Sequence, residues 1–333
     1  MRHQPSTTTA LLSGFPEVRG EVPTHLGYVK NFSFHVWYHV VERYLRLRAA
    51  QYGIPQCTVL DAELDLQTQL QALDSLIRQG ADALVVTPVP GPGTGDIIRR
   101  TQKAGIPTII EANPVPGMST LVAICDYDAG WKTGAWMGRY LSSRSITRAV
   151  VLDIAYPSLR PCLLRSEGFL DGLKSIIPDT ILKERVNGEA RVEKAKMLTE
   201  EVLTAHEDVN VVFGMDDESI QGALQGVLTL GKTSEDVALA GFGLAGDADK
   251  EELLARGHLK TSLAMFPEWV GVRCVDQAVR LFNGTAVSFH DVAPTVPVTP
   301  DTLHTYYNRA GKAWTPDFSS INAIQREEQC SRV

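Results

Sequence analysis

Along most of this chain a short apolar run is followed by a segment whose apolar residues recur at helical spacing. That alternation restricts the fold more than any other feature. Ala83 to Thr87 reads as a buried strand closed by the turn-rich PVPGPGTGD, and Thr108 to Ala112 reads as the next strand. Gln56 to Ala62 is a strand rich in β-branched residues, and Leu64 to Gly80 carries Leu66, Leu70, Leu73, Leu76 and Ile77 at helical spacing. Parallel neighbours need a crossover, and the intervening helices supply it, so a doubly wound parallel sheet is expected from residue 25 to about 124.

The pattern restarts further on. Helices are expected at Ala129 to Ser142, Arg165 to Ile176, Val192 to His206 and Ser219 to Leu230. Strands are expected at Ala149 to Ile154, Ile181 to Val186, Val209 to Phe213 and Val237 to Phe242. LIRQGADALVVTPV (Leu76 to Val89) and LTAHEDVNVVFGMDD (Leu203 to Asp217) share helix end, acidic turn, buried strand and break in one order. A weak repeat of this size suggests two similar α/β lobes and not an array. The tail, Asp301 to Val333, has no strong periodicity, and its GKAWTPDF reads as an extended segment packed on the surface or partly disordered.

With 333 residues, 44% of them hydrophobic, there is room for two cores. The net charge of -7 lacks the basic stripe that phosphate neutralisation demands, so no nucleic acid is expected as a partner. Runs such as Ala83 to Val89 are far too short to cross a bilayer. The first 24 residues read as an N-terminal extension whose only apolar patch, Ala10 to Leu12, is too short for a signal peptide, so the reading is a missing leader or a protein that stays inside. Cys57, Cys125, Cys162, Cys274 and Cys330 show no CxxC spacing and signal neither zinc nor a redox pair.

Leu26 to Ile54 passes from an apolar strand through an aromatic loop, Asn31 to Tyr38, into an amphipathic helix. Phe34, Trp37 and Tyr38 thereby fall at the carboxyl end of a strand, the edge where open α/β sheets bind ligands. Aromatic faces there suit stacking on a small molecule.

Taken together, the aromatic loop and helix ending in QYGI, the QLQALDSLIRQGADALVVTPV segment, AGIPTIIEAN, ICDYDAGWKTGAWMG, RSEGF, VVFGMDDES, ALAGFG and HLKTSLAMFP resemble the type I periplasmic solute-binding proteins of the ribose- and galactose-binding family. The resemblance covers about Leu26 to Pro300. It implies two lobes, 25–126 plus 268–290 and 129–263 plus 295–333 with the tail, joined by crossings near 126–128, 264–267 and 294–296. It also implies a ligand between the lobes, hinge closure, a periplasmic or extracellular location, a monomer, no cofactor, and an ABC-type permease or a sensor receptor as partner.

At the level of residues, the resemblance places Trp37 and Tyr38 at the family's sugar-stacking aromatics, with Phe34 and His35 as weaker contacts in the same loop. Asn113 stands where the family offers a side chain to sugar hydroxyls, and an amide both donates and accepts. Neighbouring Glu111 is a weaker candidate for the same contact, the alternative being that it points into the lobe with its charge paired. Arg165 matches the family's forked arginine and Asp216 a polar ligand position, while Asp217 better suits a helix cap. The family's usual acid and amide are replaced by Gly243 and Met265. Their loss points to a larger, less hydroxylated or differently charged ligand than a simple aldose.

His35, His39 and Glu42 could share a helix face, but the spacing lacks HExxH and packing is the better account, so no metal is expected. Gly91 to Asp96 lacks the GK[ST] of a P-loop and reads as a turn. Neither a nucleophile elbow nor a dinucleotide glycine fingerprint between strand and helix is expected, which leaves an enzyme the minority reading. A repressor core would need a longer N-terminal DNA-reading segment.

Overall fold

The computed structural model describes residue 12, residues 14–255 and residues 257–327. They form two compact units: one comprises the described parts of Met1–Ile124, Phe266–Pro294 and Thr315–Val333, the other Cys125–Met265 and Thr295–Trp314. The chain therefore changes unit near residues 124, 265 and 294, and a fourth time at Trp314.

In the first unit β1 (His25–Lys30), α1 (Val36–Gln51), β2 (Gln56–Asp61), α2 (Leu66–Arg78), β3 (Ala83–Val86), α3 (Gly95–Lys103), β4 (Thr108–Glu111) and β5 (Leu121–Ala123) alternate much as the apolar pattern predicts. In the second unit come α4 (Asp126–Ser143), β6 (Arg148–Ala155), α5 (Arg160–Ile176), β7 (Asp179–Asn187), α6 (Val192–Ala205), β8 (Val211–Gly214), α7 (Asp217–Thr229), β9 (Ala238–Gly243), α8 (Asp247–Leu254) and β10 (Leu259–Ala264). The chain then returns to the first unit with α9 (Pro267–Phe282) and β11 (His290–Val292), and β12 (Val296–Val298) belongs to the second.

The first sheet has the order β11-β5-β4-β3-β1-β2 and is parallel throughout. The second, β12-β10-β9-β8-β6-β7, is parallel except that β12 runs antiparallel to β10. In both, strand order reverses beside the first strand, so the loops leaving two adjacent carboxyl ends diverge to opposite faces and open a crevice. In the first unit these loops follow β1 and β3; in the second they follow β6 and β8.

The helical spacing of Leu70, Leu73 and Leu76 sets α2 against Leu84, Val86 and Ile110 of the sheet. On the other face α9 buries Trp269, Val272, Val275 and Val279. In the second unit Phe169 of α5 stacks on Phe213 of β8 at 4.2 Å. There α4 and α5 touch through backbone: a Cβ added at Gly134 would stand 1.9 Å from the carbonyl oxygen of Phe169.

Within the tail Ala313–Pro316 is extended as read, but the tail holds more regular structure than its weak pattern suggests. After α10 (Leu303–Tyr306) it forms a two-stranded hairpin, β13 (Tyr307–Ala310) with β14 (Ala313–Pro316), and then α11 (Phe318–Glu327). The hairpin is fixed to the second unit, where Glu251 accepts from Trp314 Nε1 at 3.0 Å and from Arg309 at 2.8 Å. The helix lies on the first unit, with Phe318 edge-on to Phe15 at 4.8 Å and to Tyr44 at 5.9 Å. Asn322 accepts from Trp269 Nε1 at 2.9 Å and donates to the carbonyl of Gly14 at 2.9 Å. The partners of this helix come from remote parts of the chain, so its own short sequence carries too little pattern to announce it.

Part of the N-terminal extension is likewise built in. Fully buried Arg48 pairs with Asp276 at 2.8 Å and donates to the carbonyls of Phe15 and Pro16.

Candidate functional site

The carboxyl end of β1 opens into a loop ordered by its own side chains. Asn31 accepts from the Phe32 amide at 2.9 Å and donates to the Tyr38 hydroxyl at 3.1 Å. Phe32 lies edge-on to Tyr38 at 4.8 Å and stacks on Phe34 at 4.3 Å, while Phe34 itself is 67% exposed. His35 caps α1, its Nδ1 accepting from the Trp37 amide at 3.1 Å. It therefore stands outside the helix, in extended conformation, and does not share a helix face with His39. Trp37 and Tyr38 occupy the first turn of α1 and not the loop, and both are largely buried.

Behind Trp37 lies a polar chain in the core of the first unit. The indole Nε1 donates to Glu111 Oε1 at 3.3 Å, and the Thr87 hydroxyl donates to Glu111 Oε2 at 2.5 Å. The Tyr28 hydroxyl meets that of Thr87 at 3.0 Å. Glu111 does point into the lobe, but its bonded partners are these neutral donors and not a paired charge. Burial pushes its carboxyl up to about 7, against the opposing pull of the bonds from Thr87 and Trp37.

Just past Glu111 the chain turns sharply. Ala112 has φ +61, and the Asn113 amide donates to the Glu111 carbonyl at 2.7 Å, a tight i to i+2 closure that an L-residue adopts only at a cost. The turn delivers Asn113 to the strand end, where its side-chain nitrogen donates to the Pro88 carbonyl at 3.2 Å.

In the second unit Arg165 lies within α5, five residues beyond its start, and not at the helix N-terminus. Its Nε donates to Asp126 Oδ1 at 2.8 Å, its Nη1 to the Met215 carbonyl at 3.2 Å, and its guanidinium covers the Phe242 ring at 4.7 Å. Burial works against its charge, yet Asp126 beside it more than offsets this and raises its pKa. The guanidinium is thus held rigidly as a cation. Asp126, placed by the sequence only at a crossing, is the first residue of α4, three positions beyond the end of β5.

Of the two neighbouring aspartates, Asp216 takes the cap position expected of Asp217. Asp216, in extended conformation, is the cap of α7 and accepts from the Ser219 amide at 2.8 Å. Asp217, the first helical residue, turns its carboxylate to the amides of Leu244 at 2.7 Å and Ala245 at 3.0 Å. Extended backbone is what a cap requires, and only the first aspartate has it.

Asp217 also accounts for Gly243. That glycine has φ +127, and a Cβ there would stand 2.5 Å from Asp217 Oδ2. The space in which an acid at 243 would begin is already filled by a carboxylate. Met265 is buried, its amide donating to the Gly243 carbonyl at 3.2 Å. Contrary to expectation, GFGLAG (Gly241 to Gly246) does fit the G-x-G-x-x-G spacing between β9 and α8. Its loop amides are already bonded to Asp217 and, at Gly246, to Asp249 Oδ2 at 3.1 Å, so the cradle that a pyrophosphate would use is occupied by the chain's own carboxylates.

Residues 28–286 match the periplasmic binding protein domain family. The chain belongs to this family. The ribose import binding protein of Escherichia coli (strain K12) is 25% identical over 231 residues, which are 69% of this chain and 75% of that protein. A periplasmic solute-binding protein from Actinobacillus succinogenes 130z with bound D-allose superposes with a TM-score of 0.76 at 17% identity, over 85% of this chain and 99% of that one. A solute-binding protein from Bacillus halodurans C-125 with bound myo-inositol gives 0.76 at 20% identity, over 86% and 98%. The α/β fold with two parallel-dominated sheets is therefore that of the type I periplasmic binding proteins, and the family is one of solute-binding proteins.

Proposed function

We propose that this protein captures a sugar, polyol or related small polar solute and delivers it to an ABC-type importer. The observation that carries this reading is the family match over residues 28–286, with ribose import binding proteins among the relatives. The site supports it chemically. Trp37 and Tyr38 in the first turn of α1 offer aromatic faces to the apolar side of a ring, and Asn113 stands just beyond the end of β4. Arg165 supplies fixed donors from the second unit.

In this mechanism the solute docks on the aromatics of the first unit, and the Arg165 side then adds contacts that exist only in the bound state. Such differential contact is what a ligand needs to shift a hinge equilibrium. Stacking plus charge-assisted hydrogen bonds reaches micromolar affinity, about -8 kcal/mol. No covalent step is invoked. The proposed setting is the periplasm or cell exterior, the proposed state a monomer, and the proposed receiver a membrane permease.

With Gly243 and Met265 in place of an acid and an amide, the ligand offers fewer hydroxyl donors to this side than a simple aldose in the family's usual pose. A thermal-shift panel spanning pentoses, hexoses, inositols, sugar acids and small amines tests the function. At least one member should raise the melting temperature in a saturable manner. A panel without any such member would remove the reading.

A further inference from the structure

We propose that Glu111 is the positioning residue of Trp37: its buried carboxyl holds the indole by the ring N–H and so sets the aromatic face that the first unit offers to a ligand. This rests on the reading of Trp37 as a ligand contact.

The geometry is a relay through four elements. Tyr28 on β1 meets Thr87 beyond β3, Thr87 meets Glu111 at the end of β4, and Glu111 meets Trp37 on α1. Tyr28, Thr87 and Glu111 are fully buried. An indole has one donor, in the plane of its ring, so a fixed acceptor at that edge selects one orientation of the ring. The same residue reaches a second candidate contact, because its carbonyl accepts the Asn113 amide across the strained turn at Ala112.

The choice of residue also argues for a task. A carboxyl buried without a bonded cation is costly, and an apolar side chain of similar size would serve packing better. The titratable groups facing it are Tyr28 on β1 and Cys274 on α9, and burial raises the pKa of both well above neutrality. Neither carries charge near neutral pH, so Glu111 is the group there that can change state, and it does so at about 7. The indole bond strengthens when its acceptor ionises.

A double-mutant cycle tests the assignment, using the panel sugar with the largest thermal shift. E111L should weaken binding about fivefold or more in the wild-type background and less than about twofold in W37A, because a residue acting through the indole has nothing to position once the ring is gone. E111Q, which keeps an acceptor, should bind within about threefold of wild type. Additive losses from W37A and E111L would overturn the proposal. In parallel, the nitrogen-15 indole signal of Trp37, identified by its loss in W37F, should move with a midpoint near 7 in the wild type and stay fixed in E111Q. A wild-type signal that does not titrate would also overturn it. If no panel sugar binds, the proposed function falls, and the indole titration alone still decides whether Glu111 holds Trp37.

Discussion

Glu111 and Gly243 carry consequences that can be measured without any ligand. The folded-state pKa of Glu111 lies above the ordinary carboxyl range, so the fold retains a proton that the unfolded chain gives up. Its contribution is fully present below the ordinary carboxyl range and is lost as pH rises to about 7. Unfolding in urea should therefore show wild-type stability declining from acid to neutral pH by up to about 3 kcal/mol more than that of Glu111→Gln, whose side chain does not titrate. Equal slopes would show that the carboxyl is already ionised inside the fold. At Gly243, a Cβ meets the Asp217 carboxylate and the backbone disfavours any L side chain. Gly243→Asp, which would restore the family's usual acid, should lower stability by about 2 kcal/mol or more, while an added Asp217→Ala should recover part of the loss. The sequence announces the absence of an acid at 243, but not its cause. Asp217 lies 26 positions away and reads locally as a helix cap, and only the packing of α7 beside β9 brings the two together.

Among the elements, those with strong periodicity were legible. Leu70, Leu73 and Leu76 predict α2, and the run at Ala83 predicts β3, because each buries a face of its own. The short β5, α8 and α11 were not, since each depends on partners from distant segments. The helix α11 shows the reason: Phe318 packs on Phe15 and Tyr44, and Asn322 bonds Trp269. Phe318→Ala should cost about 3 kcal/mol by removing the ring that packs on Phe15 and Tyr44. Chemical denaturation followed by tryptophan fluorescence measures it, and a change below about 0.5 kcal/mol would mean that the tail is dispensable to the first unit. The close approach of α4 to α5 makes a complementary case. Gly134→Val should be severely destabilising because the added atoms meet the Phe169 backbone, which cannot turn aside.

For the whole molecule, the two-sheet fold is that of a periplasmic binding protein domain, and the proposed recognition of a solute by it relies more on aromatic faces and less on acids. Family and fold were legible because many weak segments occur in a fixed order over residues 28–286. The sequence nominates candidate residues without showing their bonding: Trp37 leans on Glu111, Arg165 on Asp126, and Asp216 serves as a cap. The first two pairings join residues of different elements, which no local pattern in the chain records. Under the proposed function, the ligand is met chiefly by the face of Trp37 and the ring of Tyr38. The most direct test is therefore a calorimetric titration of the best panel sugar into the wild type and into Trp37→Ala under the same conditions. The expected result is micromolar or tighter binding to the wild type and a loss of at least about tenfold, or 1.4 kcal/mol, in the variant. Equal affinities in a variant that melts as the wild type does would contradict the claim that this aromatic face recognises the solute.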